Sequence, residues 1–403
     1  MDKKELVIGV PKEIYEKCRC VAMVPDSVKN LVNAGHRVLV QKEAGVNAYY
    51  PNDYYEKAGA TIIGSAAELY GEADVIIKIR MPLFNRELNK HELDLLKKHA
   101  TILSFLQPTL EPKIVEKLIR NELTGFSMEL IPRISRAQSM DALSSLSTVM
   151  GYRAVLVAVN MLGKFFPLLM TAAGTIRPAT VLVIGAGVAG LQAIATSRRL
   201  GAKVEAFDTR PAVKEQVESL GARFIEMELP ENMETRYGYA KEASREFIKK
   251  EMEAIAARLP KTDVVISTAL VYGRKAPVLI NEEMVKMMPP GSVIVDLAAE
   301  QGGNCELSKP GRTVEKYDVS IYGAVDVPSQ LPLHTSLMYS KNVVNAFNNL
   351  YAGEDDSIDL EDEINANALV TYKGEIISPM VKESFNKKDP SETENSSGKG
   401  AGK

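Results

Sequence analysis

Residues 181–208 read VLVIGAGVAGLQAIATSRRLGAKVEAFD and decide the fold of the region around them. The apolar run 181–184 predicts a strand, the glycine-rich turn 185–190 follows it directly, and residues 191–200 predict a helix. A second apolar strand then ends at an acid, Asp208. This order of elements is typical of a Rossmann unit that binds a dinucleotide.

Each glycine of the turn matches a requirement of dinucleotide binding. Gly185 suits a tight turn, Gly187 allows the backbone to approach a pyrophosphate, and Gly190 allows the helix to pack closely on the strand. The phosphates would lie on the N–H groups of the helix that begins near Val188, where the helix dipole favours negative charge. The alternative is a tight turn without a ligand, but the matching strand and helix on either side favour the dinucleotide.

The acid at the end of the second strand favours NAD over NADP. The carboxylate of Asp208 can accept hydrogen bonds from the hydroxyls of an adenosine ribose, and it would repel a 2′-phosphate. Arg210 leaves an alternative open, because a guanidinium at this place can receive a phosphate. We expect NAD as the cofactor, with Asp208, Thr209 and Arg210 among its contacts.

The composition is typical of a soluble protein with two globular domains. The chain has 403 residues, 45% of them hydrophobic and 25% charged, and its net charge of −3 gives no reason to expect nucleic-acid binding. Cys18, Cys20 and Cys305 form no CxxC motif, which indicates reduced thiols in a cytosolic compartment. The four histidines lack metal-ligand spacing, and neither HExxH nor GxSxG occurs, so we expect no metal and no serine nucleophile.

No segment is predicted to span a membrane. The longest apolar region, residues 152–174, contains Arg153, Lys164 and Pro167, so it lacks the uninterrupted run of about 20 residues that a bilayer requires. We expect a buried helix followed by a loop there. The N-terminal residues enter a strand directly without the apolar core of a secretory signal, which favours a protein that stays inside the cell.

Strands and helices alternate on both sides of the glycine turn. Before it, apolar runs predict strands and amphipathic runs predict helices, a spacing that indicates a parallel sheet covered on both faces. These strands are expected at 6–10, 38–40, 75–79 and 102–106, and the helices near 27–34 and 66–69. The Rossmann unit is completed after the turn by strands at 264–267 and 293–296 and a helix at 242–259.

The predicted fold class is α/β, with two Rossmann-like domains that contain parallel sheets and are separated by a cleft. Residues 139–325 are expected to form the NAD(H)-binding Rossmann domain. Residues 1–138 and 326–385 are expected to form a discontinuous N-terminal α/β domain. Residues 386–403 are rich in Ser, Gly and Lys and predict a disordered tail, because they cannot bury enough surface to offset the entropy of ordering.

Two helices are expected to connect these domains. Apolar residues at three- and four-residue spacing predict one over residues 139–162, with Ser139 available as its N-cap. The second, over residues 336–350, leads back into the N-terminal domain. Two such crossings would flank the cleft.

The polar segment ahead of the first connecting helix, RISRAQSMD (133–141), has two interpretations. It is either a loop that lines the cleft or a solvated connection in which Arg133 and Asp141 pair with each other. The spacing alone favours the solvated connection, because loops rich in charge are usually solvated.

Six strings of sequence together resemble the NAD(H)-binding domain I, in the alpha subunit, of proton-translocating NAD(P) transhydrogenases. The resemblance extends over nearly the whole chain, up to about Tyr351. The strings are the segment 133–141, TAAGT (171–175), GAGVAGLQAIAT (185–196), KEQVESLG (214–221), GYAKE (238–242) and GGNC (302–305).

The resemblance implies a soluble subunit that passes hydride between NADH and NADP bound on a partner subunit. The enzyme would be an NAD(P)+ transhydrogenase of the Si-specific, proton-translocating type, active only with its NADP-binding membrane partner. NADP(H) would be carried by the partner because this chain shows a single dinucleotide fingerprint. A homodimer is implied, cytoplasmic and held at the cytoplasmic membrane through transmembrane subunits that couple the reaction to proton translocation.

The resemblance also implies roles for residues of the polar segment. Gln138 would hold the nicotinamide-side ribose, while Arg133 and Asp141 organise the loop and the nucleotide, with Ser144 nearby on the helix. Tyr239 would close over the nucleotide in a mobile loop. The expected cofactor contacts also include Ser135, Gly238 and Leu270.

The alanine dehydrogenases are relatives by fold, but their substrate residues are largely replaced here. Cys20 stands where that resemblance would place a substrate-binding arginine, Gln107 where it would place a catalytic histidine, and Glu300 where it would place an aspartate. Only the lysine remains, as Lys78. Two alternatives stay open, an alanine-dehydrogenase-like NAD-dependent amino-acid oxidoreductase and a non-catalytic NAD-sensing module.

Overall fold

The computed structural model describes residues 5–227, 245–270, 275–353 and 357–386. The chain divides into two units, one formed by Met1–Ser145 with Pro332–Lys403 and the other by Leu146–Leu331. These limits fall a few residues after the expected domain boundaries, so the first change of unit lies inside the long connecting helix. All but the first residue of the expected tail, 386–403, lies outside the described residues.

The first unit is built on one large sheet, with elements numbered along the whole chain. Its strands are β1 (Val7–Val10), β2 (Arg37–Gln41), β3 (Thr61–Ile63), β4 (Val75–Ile77), β5 (Phe84–Asn85), β6 (Lys90–His91), β7 (Thr101–Ser104), β8 (Thr124–Ser127), β18 (Leu369–Tyr372) and β19 (Glu375–Ile376). Eight of them pair in the order β19-β18-β8-β7-β4-β1-β2-β3. The ladders from β8 to β3 are parallel, and β18 joins β8 in antiparallel direction.

Helices pack closely on this sheet. They are α1 (Pro25–Asn33), α2 (Asn52–Lys57), α3 (Ala66–Glu72), α4 (Pro112–Arg120), α10 (Pro332–Leu350), α11 (Glu363–Ala368) and α12 (Pro379–Asn386). A Cβ on Gly9 would lie 2.7 Å from Ile76 Cδ1 and 2.9 Å from Leu69 Cδ2. The missing side chain in β1 therefore makes room for α3 against the sheet.

The second unit contains the glycine turn and a seven-stranded sheet. Its strands are β9 (Leu169–Thr171), β10 (Gly174–Ile176), β11 (Thr180–Ile184), β12 (Lys203–Phe207), β13 (Arg223–Phe224), β14 (Val264–Ser267), β15 (Val293–Asp296), β16 (Thr313–Lys316) and β17 (Val319–Gly323). The sheet order is β13-β12-β11-β14-β15-β17-β16, parallel except for the β16–β17 pair. Its helices are α6 (Val188–Arg199), α7 (Lys214–Ser219), α8 (Arg245–Ala256) and α9 (Glu282–Val285).

Both faces of this second sheet are covered, as its continuous apolar strands require. Along β11, Val181 and Val183 lie in one core cluster, whereas Leu182 and Ile184 lie in another. Successive side chains of a strand point to opposite faces, so each cluster marks one face. The predicted α/β class with two Rossmann-like domains and parallel sheets is confirmed.

The long connecting helix, α5 (Ala142–Met161), begins later than predicted. Residues Ser135–Met140 form a 3₁₀ helix, so Ser139 is not the N-cap. Asp141 takes that place, and its carboxylate accepts hydrogen bonds from the N–H (2.9 Å) and the Oγ (2.6 Å) of Ser144. A carboxylate at this position satisfies a backbone N–H that the first turn of a helix leaves without a partner.

By length and composition, α5 meets the requirements for crossing a membrane, with a mean hydropathy of 1.5 and a third of its most apolar window buried. A core helix of a soluble protein passes the same test. Ala154, Val155 and Ala158 are buried in the core of the second unit, packed with residues of α6 and β11. Of the helices in the described ranges, α5 alone meets these requirements.

The segment after α5 is a β-hairpin, and the prediction of a loop over this region was wrong. The strands β9 and β10 pair in antiparallel direction and form a two-stranded sheet of their own. Four large apolar side chains here are exposed: Phe165 (56%), Leu168 (53%), Met170 (80%) and Ile176 (39%). The hairpin therefore presents an apolar surface.

Candidate dinucleotide-binding site

The glycine turn after β11 has the geometry that dinucleotide binding requires. Gly185 has a φ of 91°, in the left-handed region that favours glycine, and Thr268 donates a hydrogen bond from its Oγ1 to the Gly185 carbonyl (3.0 Å). A Cβ on Gly190 would lie 1.8 Å from the Gly185 oxygen. Glycine is required at position 190 because α6 packs directly against the turn.

The start of α6 is open on the side where a phosphate would approach. Gly187 is the N-cap residue, and among the described residues no atom beyond its own chain neighbours lies within 4 Å of the position its Cβ would take. Val188, the first helical residue, is 38% exposed. The first N–H groups of a helix lack intrahelical partners and bind anions favourably. These residues fit a pyrophosphate group.

Asp208 joins the glycine turn to the end of β12. It is 8% exposed, and the N–H of Ala186 donates to its Oδ2 at 2.6 Å. Arg210 donates from its backbone N–H and its Nε to Oδ1, and from its Nη2 to Oδ2, each at 2.9 Å. Thr209, half-buried, lies between the two. Because Arg210 already forms an ion pair, binding a phosphate would compete with Asp208.

The residue before Leu270, Ala269, is held by hydrogen bonds just after β14. Asn304 accepts a hydrogen bond from the N–H of Ala269 (3.0 Å) and donates one to the Ala269 carbonyl (2.8 Å). The N–H of Asn304 in turn donates to Asp296 Oδ2 at the end of β15 (2.9 Å). Leu270 is half-buried directly after this anchored residue, at the carboxyl end of the strand next to β11.

Sequence reasoning missed three residues that shape this edge of the sheet: Thr268, Asp296 and Asn304. The GGNC string held a signal for Asn304, because two consecutive glycines favour a tight turn ahead of it. In the structure, Gly302 and Gly303 both have positive φ values. The amide of Asn304 ties the turns after β14 and β15 together. No local pattern distinguishes Asp296 from the acid at the end of any other strand.

In the first unit, Gln138 lies on the 3₁₀ helix that precedes α5. The carbonyl of Ser139 accepts hydrogen bonds from Asn342 Nδ2 (2.8 Å) and Asn345 Nδ2 (3.1 Å), both on α10. Arg136 forms an ion pair with Asp362 at 2.6 Å. The short helix is thus anchored within its own unit, while Gln138 is exposed.

The neighbours of Gln138 fall into two kinds. Arg133 and Ser135 are exposed. Asp141 and Ser144 are half-buried and hydrogen-bonded to each other through both carboxylate oxygens. The solvated interpretation of this segment placed the partner of Asp141 at Arg133, whereas the structure places it at Ser144.

The structure therefore brings the expected contacts together in two sets, one in each unit. The second unit holds Gly185, Gly187, Val188, Gly190, Asp208, Thr209, Arg210 and Leu270 around the glycine turn. The first unit holds Arg133, Ser135, Gln138, Asp141 and Ser144. Gly238 and Tyr239 lie outside the described residues. Within the described ranges, no group of three or more His, Cys, Asp or Glu side chains could hold a metal ion.

Comparison with known families agrees with this architecture. The model described as "Alanine dehydrogenase/PNT, N-terminal domain" matches residues 9–150, and the one described as "Alanine dehydrogenase/PNT, C-terminal domain" matches residues 154–379. The chain belongs to the alanine dehydrogenase/PNT family.

Relatives in this family include both transhydrogenase subunits and alanine dehydrogenases. The chain is 48% identical over 379 residues to the first portion of the NAD(P) transhydrogenase subunit alpha of Rhodospirillum rubrum, covering 93% of this chain and 98% of the relative. It matches the crystal structure of transhydrogenase from Sinorhizobium meliloti with a TM-score of 0.81 and 40% identity, covering 92% and 100% of the two chains. Alanine dehydrogenase of Bacillus subtilis is 30% identical over 348 residues, covering 84% and 83%. The resemblance to transhydrogenase alpha subunits is confirmed.

The lysine retained from the alanine dehydrogenase pattern is enclosed by acids. Lys78 follows β4, is fully buried, and its Nζ lies 2.9 Å from Glu92 Oε1 and 3.3 Å from Glu13 Oε2. Tyr70 donates its hydroxyl to Glu92 (2.6 Å), and the N–H of Ile79 donates to Glu13 (2.6 Å). These contacts form a closed buried cluster, the Lys78 cluster.

The electrostatics of the Lys78 cluster favour the protonated form of the lysine. Burial alone would lower the pKa of Lys78, but the carboxylates of Glu13 and Glu92 outweigh it and hold that pKa above its ordinary value. Burial raises the pKa of Glu13. A lysine kept as a cation between two enclosed acids is a poor base near neutral pH.

The other positions of the alanine dehydrogenase pattern offer no replacement chemistry. Cys20 is 4% exposed, and Gln107 carries no titratable side chain. Gln107 has a φ of 50°, and its N–H donates to the buried Glu129 at 2.5 Å. Glu300 accepts a hydrogen bond from the N–H of Asp326 (3.2 Å). None of the three supplies a bidentate cation for a carboxylate, and neither Cys20 nor Gln107 has the imidazole of a histidine.

Proposed function

We propose that this chain is the NAD(H)-binding subunit of a proton-translocating transhydrogenase and passes hydride between NADH and NADP bound on a partner subunit. The observation that carries the proposal is the contrast between a formed dinucleotide turn and an enclosed Lys78. The glycine turn fits a nicotinamide dinucleotide, whereas the positions at which an alanine dehydrogenase would handle a substrate hold an enclosed lysine, a buried cysteine, a glutamine and a glutamate, and none holds a carboxylate-binding arginine.

Hydride transfer between two nicotinamides suits a site of this kind. The C4 atom of NADH loses a hydride and the C4 atom of NADP+ gains it, so the step needs no proton donor or acceptor. Catalysis then consists of holding the two C4 atoms about 3–3.5 Å apart in an aligned geometry. Residues that bind and orient are sufficient, and these are the residues the chain provides.

The roles we propose follow the two sets of contacts. The N–H groups at Val188 and the turn Gly185, Gly187 and Gly190 bind the pyrophosphate. Asp208, with Thr209, Arg210 and Leu270 around it, binds the adenosine ribose end.

In the first unit, Gln138 holds the nicotinamide-side ribose through its exposed amide. Arg133 and Ser135 add polar contacts to the nucleotide, and the hydrogen-bonded pair of Asp141 and Ser144 fixes the end of the short helix beside them. Tyr239, next to Gly238, closes over the nucleotide.

The partners we propose are a second copy of this chain and the NADP(H)-binding and transmembrane subunits of the transhydrogenase. The exposed apolar hairpin of β9 and β10 supports the dimer, because a lone two-stranded sheet is marginally stable unless other strands or side chains cover it. The subunit would then be cytoplasmic and held at the membrane by its partners, and proton movement would take place in them.

Reconstitution tests the proposal. The purified chain is mixed with membranes that hold its transhydrogenase partner subunits, and reduction of NADP+ by NADH is followed with and without each component. We expect transfer only when both components are present. Turnover of alanine or pyruvate by the chain alone would instead support an amino-acid oxidoreductase, and NADH binding with no transfer in the complete mixture would support a sensor.

A further inference from the structure

A buried carboxyl group on α8 has no role in the function proposed above. Glu251 is 5% exposed. Ile248 and Ile255, one turn away on either side along α8, pack in the core cluster that contains Phe207, the residue immediately before Asp208. Glu251 therefore lies on the buried side of α8, which faces the core cluster to which Phe207 also belongs.

Among the described residues, few charged groups surround this carboxyl. Asp208 interacts with it electrostatically, and Arg210 is ion-paired to Asp208 at 2.9 Å. On α8 itself, Lys249 and Glu253 form an exposed pair at 4.0 Å on the solvent side. The elements packed against α8 contribute apolar side chains: Leu182, Ile184, Phe207 and Ile225. Within the described ranges, the Glu251 carboxyl makes no hydrogen bond or ion pair.

The net charge at the ribose end of the site therefore depends on Glu251. Asp208 and Arg210 form an ion pair through three hydrogen bonds and neutralise each other. With Asp208 compensated in this way, its charge alone gives a weak reason to reject a 2′-phosphate, and the guanidinium of Arg210 would favour one. A third charge is needed for the region to be negative.

We propose that Glu251 determines cofactor specificity, because its carboxylate supplies the net negative charge that rejects a 2′-phosphate on the adenosine ribose. This inference rests on the proposed function, since it concerns the dinucleotide bound at the same turn. The ligand class selected is a nicotinamide dinucleotide with a free 2′-hydroxyl. A 2′-phosphate carries between about −1.5 and −2 charges at neutral pH, and a buried carboxylate repels it more strongly than a solvated one.

The discrimination between NADH and NADPH should depend on pH near neutrality. Burial, and secondarily the charge of Asp208, raises the pKa of Glu251 to about 7. Below that pH the side chain is mostly a neutral acid and the ribose end is close to uncharged. Above it the carboxylate is present, so discrimination against NADPH should increase as the pH rises through 7.

The test compares binding of NADH and NADPH to the full chain by nicotinamide fluorescence at pH 6 and pH 8. The variants are Glu251→Gln, which keeps the shape without the charge, and Glu253→Gln, a control on the solvent side of the same helix. For the wild type, the ratio of Kd for NADPH to Kd for NADH should rise with pH. At pH 8 we expect that ratio to be about tenfold smaller in Glu251→Gln, the size of effect that one pKa unit represents.

The ionisation of the 2′-phosphate is the same for all variants. The difference in the Kd ratio between the wild type and a variant therefore reports on Glu251. Glu251→Met, which matches the apolar stripe of α8, is a second neutral variant that must show the same loss if packing of the glutamine is poor. An unchanged ratio in both neutral variants would overturn this inference while leaving NADH binding intact. Failure of the wild type to bind NADH at all would overturn the proposed function instead.

Discussion

A charged residue follows a parallel strand at two places, in the glycine turn of the second unit and in the Lys78 cluster of the first unit. The first place is open and the second is enclosed. Asp208 follows β12 and shares its carboxylate between the turn and Arg210, while the space beside Gly187 stays open. Lys78 follows β4 and is enclosed by Glu13 and Glu92. A shared fold thus has an open glycine turn in one unit and a closed ionic cluster in the other, so the fold alone does not specify the function.

The largest effect expected is the loss of stability when the Lys78 cluster is broken. Lys78→Met leaves two enclosed carboxylates without their cation, which should cost about 3–5 kcal/mol in the free energy of unfolding. Urea denaturation measures this. Lys97→Met, which removes an exposed ion pair with Asp74, is the control and should cost less than about 1 kcal/mol. Equal losses in the two variants would contradict a structural role for the cluster.

The next effect concerns the acid of the dinucleotide turn. Asp208→Ala removes the ribose acceptor and the hydrogen bond to Ala186, so NADH binding should weaken by about 30-fold, or roughly 2 kcal/mol. Glu205→Gln, on the same strand β12, is the control and should leave NADH affinity unchanged. Fluorescence titration of NADH distinguishes the two, and an unaltered affinity in Asp208→Ala would remove Asp208 from the site.

Glu251 should also affect stability in a pH-dependent way. Its pKa rises from 4.5 to about 7 on folding, so the folded state holds a proton that the unfolded chain releases between these values. The resulting loss in the free energy of unfolding is absent below pH 4.5, grows as the pH rises, and is complete above pH 7. Glu251→Gln should therefore be more stable than the wild type by about 3 kcal/mol at pH 8 and equal to it below pH 4.5. Chemical denaturation at both pH values checks this, and a difference that does not change with pH would contradict it.

The smallest effect expected is at the exposed amide of the first unit. Gln138→Asn shortens the side chain by one methylene, so hydride transfer should slow by about tenfold while NADH affinity changes less, as expected when positioning in the transition state is lost. Single-turnover transfer and NADH titration give the two numbers. Transfer at the wild-type rate would show that Gln138 does not position the nicotinamide.

Local signals were enough to predict the strand–turn–helix–strand that ends at Asp208, but not the Lys78 cluster. Gly185, Gly187, Gly190 and Asp208 lie within one continuous strand–turn–helix–strand, so their spacing alone specifies their geometry. The partners of Lys78 depend on which strands and loops become neighbours. That information is set by the tertiary fold, and no short motif contains it.

Two predictions failed, one on the N-cap of α5 and one on the segment that follows α5. Ser139 and Asp141 are both good N-cap residues, and the 3₁₀ helix ahead of α5 decided for Asp141. A loop was predicted after the helix in the apolar region 152–174, but the end of that region forms part of an exposed hairpin. Apolar periodicity predicts that a face will be covered, and it does not state whether the same chain covers it.

The most direct test follows the hydride itself. NADH labelled with deuterium at the transferred C4 position is mixed with NADP+, this chain and its NADP-binding partner subunit, and the NADPH formed is analysed by mass spectrometry. The account predicts that the deuterium appears in NADPH with none released to water and with no amino acid or oxoacid required. Loss of the label to solvent, or dependence of the reaction on such a metabolite, would contradict it.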